Sequence, residues 1–251
     1  MLLDIDGTLV VSGAAMPGAP EAVRAIRERG LPIRFATNAT AVTRAALARM
    51  LTEAGLESSP EEILTAPVLT AAYLREHHPG ARCHLLGEGG AAGDLDGIEL
   101  VADRADVVIV AGADRAYTWD NLNRAFRMLL DGATLVAMHR NLAWLTADGM
   151  TLDSGAFLIG LERAAGKEAT VVGKPSPDFF RQAVELLGVP ADRAAMVGDD
   201  LDADVLAAQA VGMRGVLVRT GKFRPELLER AGDGAPDHVI DSIADLPALL
   251  A

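Results

Sequence analysis

The sequence predicts an α/β protein: a doubly wound, Rossmann-like parallel sheet with a second α/β unit inserted into it. Three observations predict this. Short apolar runs alternate with amphipathic helical stretches along the 251 residues, the pattern of βαβ units. Four polar segments each follow one of those runs: Asp4-Ile5-Asp6-Gly7-Thr8, Thr37-Asn38, Gly173-Lys174-Pro175 and Gly198-Asp199-Asp200-Leu201-Asp202-Ala203-Asp204. Finally, His77-His78-Pro79-Gly80 interrupts the first pattern, which resumes only near residue 172. If the strands are parallel neighbours, the four segments meet at their carboxyl ends, where open α/β sheets bind ligands.

The elements follow in order. Met1-Leu2-Leu3 closes the first strand and is short beside the usual five or six residues. Pro20 to Arg29 sets Val23 and Ile26 among charges, and Gly30 stops that helix. Leu31 to Ala36 is the second strand, and helices follow at Arg44–Ala54 and Val68–Glu76. The inserted unit has strands at Ala81–Leu86, Val107–Ala111 and Thr134–Met138. Its helix Trp119–Leu130 has Thr118 to cap it and Gly132 to end it. Helix Gly155–Ala165 and strand Thr170–Val172 lead back to the core. There Ser176-Pro177 opens a helix with a capping side chain before proline and Gly188 closes it. Strand Ala194–Val197, helix Ala203–Val211, strands Gly215–Val218 and His238–Ile240, and a helix through Leu246 and Leu250 complete the chain. The expected division is a core of residues 1–76 and 172–251, with 77–171 inserted.

Composition narrows the function. Half the residues are hydrophobic and 23% are charged, as in soluble globular proteins. A net charge of −12 argues against nucleic acid as a partner. It still permits a small phosphorylated substrate, because a metal and one lysine can reverse the sign locally. The single cysteine, Cys83, lies in an apolar run and reads as a buried thiol; with no second cysteine, a reducing cytoplasm is expected. Aspartates within the first six residues argue against a signal peptide. No apolar stretch is long enough to predict a membrane span.

At a strand end, residues i and i+2 point the same way, so Asp4 and Asp6 pair two carboxylates. That pairing is costly without a cation or a proton. It suits a nucleophile and metal ligand at Asp4 and a general acid and base at Asp6; a plain Asp-Gly turn is the competing reading. An EF-hand is excluded: its positions 6 and 12 would be Leu9 and Ala15 counted from Asp4, or Val205 and Val211 counted from Asp200. Thr37 and Asn38 offer a hydroxyl, an amide and backbone N–H groups to phosphoryl oxygens, or else cap the next helix. Lys174 is either a strand-tip cation or a solvated loop lysine. The run Asp199, Asp200, Asp202 and Asp204 exceeds what a helix start requires and fits a bound Mg²⁺.

These segments, in this order, resemble the haloacid dehalogenase (HAD) superfamily of phosphatases. The position of the insertion resembles that superfamily's type IIA, NagD-like lid. Leu122–Ala133, Val171–Pro175 and Val218–Lys222 are further similar to the group holding the phospholysine/phosphohistidine/pyrophosphate phosphatase and HAD-like hydrolase domain-containing protein 2. The resemblance implies a Mg²⁺-dependent phosphatase that forms an aspartyl-phosphate on Asp4, with Asp6 as general acid and base. It implies metal ligation by Asp4, the Asp6 carbonyl and Asp199, and phosphoryl binding by Thr37, Asn38 and Lys174. Asp200 and Asp204 would support Lys174 and metal-bound water. Asp6 itself favours phosphate esters over halides, since halide leaves without a proton.

Two rival readings remain at this point. Gly87-Glu88-Gly89-Gly90-Ala91-Ala92 matches a dinucleotide fingerprint through Gly87, Gly89 and Ala92, with Asp106 near the expected ribose acid. A phospho-ligand binding module without turnover is the other. In the insertion, His139, Arg140, Asn141 and Trp144 are candidates for substrate contact. His77 and His78 read as a helix end rather than a zinc site. The type IIA resemblance also implies a homodimer formed through the lid.

Overall fold

The computed structural model describes residues 1–87, 89–146, 149–231 and 235–250; for residues 144–146 and 230–231 the description is of the backbone. Contacts divide the chain into two units: residues 1–37, 44–64 and 174–251, and residues 38–43 and 65–173.

The first unit is built on a six-stranded sheet. Its order is His238–Ile240, Arg214–Val218, Ala195–Gly198, Leu2–Asp4, Arg34–Thr37 and Ile63–Thr65. The central strand runs parallel to both neighbours, with Leu3 opposite Val197 on one side and Phe35 on the other. Leu2, Leu3 and Ile5 are fully buried, as expected of a strand covered on both faces. From Leu2–Asp4 the chain proceeds to one side and later returns on the other. The carboxyl end of that strand is therefore the topological switch point, where such sheets open a crevice. Helices cover the sheet with apolar stripes. Ala19–Glu28 buries Ala22, Val23 and Ile26, and Pro177–Leu187 buries Phe179, Phe180, Ala183 and Leu187. Ser176 accepts the Asp178 N–H at the start of the latter helix, and Gly188 ends it in the left-handed region at φ 68°.

The second unit has its own five-stranded sheet, ordered Thr170–Val171, Thr134–Ala137, Val107–Val110, Arg82–Leu86 and Glu99–Leu100. Helices Trp119–Leu130 and Ser154–Ala165 supply Ala125, Met128, Leu129, Leu158 and Leu161 to a core shared with Leu86, Val108, Val110 and Leu135. Thr118 accepts the Asn121 N–H and so caps the first of these helices.

Several expectations need correction. The second strand is Arg34–Thr37 rather than Leu31–Ala36, because it forms only beyond Pro32, which has no N–H to give a ladder. Helix Ala203–Val211 is replaced by a wide π turn, Leu201–Leu206, followed by Ala207–Ala210. The Asp200 carbonyl accepts from both Asp204 and Val205, and its carboxylate accepts the Ala203 N–H. Hairpins pair Val10–Val11 with Ala14–Ala15 and Ala143–Thr146 with Gly149–Leu152, in addition to the strands expected from sequence. The first turns on Ser12 and Gly13, both at positive φ, the backbone of a tight hairpin turn. Helix Ala66–His77 belongs with the second unit instead of the core. Arg75 donates to the Asp96 carbonyl, and Ala66 lies against Gly173.

The glycine-rich stretch also has a structural explanation in place of the dinucleotide reading. Its helix, Gly90–Gly93, is four residues long, and the Gly90 N–H is taken by the Ala41 carbonyl. A Cβ on Gly90 would lie 2.2 Å from the Val42 carbonyl carbon, so glycine admits a crossing stretch of the chain's own backbone. Glu88 lies outside the described residues.

Candidate active site

Three parallel strand ends of the first unit deliver polar residues to one edge. Asp4 ends the central strand, Thr37 ends one neighbour and Gly198 the other, with Asp199 directly beyond. Lys174 precedes helix Pro177–Leu187 and is buried, its side chain 5% exposed. Its ammonium donates to Asp4 Oδ1 at 2.6 Å and to Asp204 Oδ1 at 2.7 Å. Asp4, Asp199 and Asp204 are all buried, and each offers a carboxylate oxygen within 4.8 Å of the others.

Local backbone explains how such a cluster is packed. A Cβ on Gly198 would lie 2.3 Å from Asp204 Oδ2, so the glycine makes room for that carboxylate. Gly7 and Gly221 close on Asp199 from two loops. Ideal Cβ atoms there would lie 2.1 and 1.8 Å from Asp199 Oδ2, and both residues have positive φ, 85° and 56°. Asp199 Oδ2 accepts the Lys222 N–H at 2.7 Å, and the Thr220 hydroxyl donates to the Gly7 carbonyl. Thr8 adds a hydroxyl on Asp4 Oδ2 at 3.3 Å.

The electrostatics follow from burial. Desolvation pushes the Asp4 carboxyl up to about 6 against the opposing pull of Lys174. It pushes Asp199 and Asp204 up to about 6 as well. Asp6 is also raised by burial, while Lys174, Lys222 and a hydrogen bond from Thr37 pull it down. For Asp200, burial is outweighed by the Ala203 N–H and Lys222, which hold its carboxyl below the ordinary range. Burial likewise fails to discharge Lys174, which Asp204 and Asp4 keep firmly protonated. Three buried carboxylates facing one ammonium leave an excess of negative charge on hard oxygen donors. That donor set fits Mg²⁺.

The candidates from sequence thus separate. Asp4, Lys174, Asp199 and Asp204 form one cluster; Asp6 and Thr37 are hydrogen-bonded beside it, and Asp200 caps the π turn. Asn38 belongs to the second unit, where its side-chain oxygen lies beside Gly173. His139 is buried there with Ser154 at 3.4 Å and Asp153 at 3.9 Å. Arg140 pairs with Glu162 in a two-pronged ion pair, and the Asn141 carbonyl accepts the Gly155 N–H. Trp144 lies on the second hairpin, and its side chain is outside the described residues. Sequence reasoning assigned no role to Thr8 or to Thr220, Gly221 and Lys222. The last three follow the apolar run Val216–Val218 and so repeat the strand-tip pattern of the other motifs.

Residues 1–100 match the family model described as haloacid dehalogenase-like hydrolase, and residues 171–246 a second HAD hydrolase-like model. The phospholysine phosphohistidine inorganic pyrophosphate phosphatase of Rattus norvegicus is 38% identical over 256 residues, covering all of this chain and 93% of its own. The chain belongs to the haloacid dehalogenase-like hydrolases. The Homo sapiens haloacid dehalogenase-like hydrolase domain-containing protein 2 is 40% identical over 253 residues, with 97% of this chain and 96% of that one covered. Among solved structures, p-nitrophenyl phosphatase from Archaeoglobus fulgidus has a TM-score of 0.91 at 32% identity, covering 99% and 97% of the two chains. NagD from E. coli K-12 has a TM-score of 0.89 at 29% identity, covering 97% and 96%. This HAD hydrolase is a phosphatase of the type IIA branch, with an α/β Rossmann-like core. Among its described residues, no helix is long and apolar enough to cross a membrane.

Proposed function

We propose that this phosphatase is Mg²⁺-dependent and works through an aspartyl-phosphate on Asp4. The observation that carries the reading is the buried Lys174 ammonium held between Asp4 and Asp204, with the Asp199 carboxylate beside them. Asp4, the Asp6 carbonyl and Asp199 would hold the metal. When bound, the metal supplies positive charge that offsets the phosphoryl oxygens and the carboxylates. Lys174, Thr37 and Asn38 bind the transferring phosphoryl group. One Asp4 oxygen attacks phosphorus as the bond to the leaving oxygen breaks, and Asp6 donates its proton to that oxygen. Asp6 then takes a proton from water, whose oxygen attacks phosphorus and frees Asp4 and phosphate. Burial raises the Asp6 carboxyl, the direction a general acid needs. Asp200 and Asp204 hold the π turn and Lys174 in place. Catalysis is mainly positioning and electrostatics.

The substrate in this reading is a small phosphate monoester, phosphoamide or pyrophosphate, which the relatives' names support. Residues 77–171 act as a lid that selects it, with His139, Arg140 and Asn141 as candidate contacts, and two copies pair through that lid. The setting is cytoplasmic. The test is phosphate release from p-nitrophenyl phosphate and a panel of small phosphates, with Mg²⁺ or EDTA. Asp4→Asn should lower turnover at least about 10³-fold while the protein stays folded. Equal turnover in EDTA, or an active Asp4→Asn, contradicts the reading.

A further inference from the structure

The turn after strand Arg214–Val218 brings a second lysine to the acidic edge. Thr220 is fastened to the Gly7 carbonyl, one residue beyond Asp6, and the Lys222 N–H is fastened to Asp199. These two bonds fix the root of the Lys222 side chain between the Asp199 carboxylate and the Asp6-Gly7 turn. The side chain itself is 64% exposed, and its ammonium rests on Asp200 Oδ2 at 3.1 Å. The contrast with Lys174 is chemical. Lys174 is buried and engaged by two carboxylates, whereas Lys222 is exposed and held by the single carboxylate of half-buried Asp200, a pair that breaks at smaller cost. The ammonium sits on a flexible four-carbon stem, so it can exchange Asp200 for another anion within reach. The Asp6 carboxyl lies within the electrostatic influence of both lysines.

Asp6 meets the leaving oxygen in the mechanism proposed above, on which this inference rests. We propose that Lys222 determines specificity by binding a second anionic group on the leaving side of the substrate, favouring substrates whose leaving group carries negative charge besides that of the departing oxygen. Inorganic pyrophosphate is the simplest such substrate and p-nitrophenyl phosphate a matched substrate without that charge. Lys222 takes no part in bond making: it leaves Asp200, pairs with the leaving-group anion and returns when the product departs. The pair formed with the substrate is charge-assisted like the one with Asp200, so the exchange replaces one ion pair with another.

The test measures kcat/KM for both substrates in the Mg²⁺-loaded wild type, Lys222→Met and Lys222→Arg. It also measures inhibition by methylenediphosphonate and by orthophosphate. Lys222→Met should lose about tenfold or more in kcat/KM for pyrophosphate relative to p-nitrophenyl phosphate, expressed mainly in KM. Diphosphonate inhibition should weaken about tenfold relative to orthophosphate inhibition, and Lys222→Arg should restore both ratios. Equal losses for both substrates would mean that Lys222 serves only the acid cluster, and unchanged ratios would mean a solvated lysine; either overturns the inference. A wild type that turns over neither substrate overturns the phosphatase mechanism itself.

Discussion

Asp199 shows most plainly what burying the clustered carboxylates costs. Its carboxylate is pressed between two glycine backbones, and burial raises its carboxyl from the ordinary 3.8 to about 6. A raised acid binds protons more readily in the folded protein than in the unfolded one. Its contribution to stability therefore falls as pH rises from about 4 to 6, and the penalty stays in force above that. Asp199→Asn removes the charge and keeps an oxygen for the Lys222 N–H. The metal-free variant should be more stable than the wild type at pH 7.5, by at most about 3 kcal/mol. The advantage should vanish near pH 4; denaturant melts of both proteins with EDTA check it. A variant less stable at pH 7.5 would contradict the account. At this scale the sequence was largely legible. Asp4, Lys174 and the Asp199–Asp204 run announce themselves as polar residues directly after apolar strands. Lys222 did not, because one lysine after a strand looks like any surface lysine until its neighbours in space are known.

Among elements, the turn Thr220-Gly221-Lys222 does as much for the site as any strand. Gly221→Ala would force a side chain onto Asp199 at a positive φ that alanine resists. Since Asp199 is a proposed ligand, Mg²⁺ affinity should fall 10–100-fold, the order seen when a ligand's supporting partners are lost. Calorimetric titration of the folded variant with Mg²⁺ checks this, and unchanged affinity would contradict it. The longer elements could be read from periodicity and caps, as with the Ser176 and Gly188 ends of helix Pro177–Leu187. The two-residue strands at Val10–Val11 and Ala14–Ala15 are too short to show a period. The π turn at Leu201–Leu206 depends on the Asp200 carbonyl accepting two N–H groups, which helical spacing alone does not reveal.

For the whole molecule, the break after His77 points to an inserted unit, but the borders of the two compact units fall elsewhere. Residues 38–43 and 65–76 join the second unit through backbone fits such as Val42 on Gly90, contacts between positions distant in sequence. If the buried carboxylates hold a cation, binding must stabilise the folded chain. At Mg²⁺ concentrations near 100 times Kd the gain is about 2.7 kcal/mol. It should shrink as pH falls below about 6, where Asp4, Asp199 and Asp204 take up protons that compete with the metal. Thermal melts with Mg²⁺ and EDTA at pH 7.5 and 5 check this, and a Mg²⁺ shift independent of pH would contradict it.

The most direct test of the central claim is mass spectrometry of the acid-quenched enzyme during turnover of p-nitrophenyl phosphate with Mg²⁺. The account predicts a phosphoryl adduct on the peptide carrying Asp4, absent from Asp4→Asn and increased in Asp6→Asn, which cannot activate the water that releases it. An active enzyme with no adduct on Asp4 in any of these proteins, or an adduct on another residue, would contradict it.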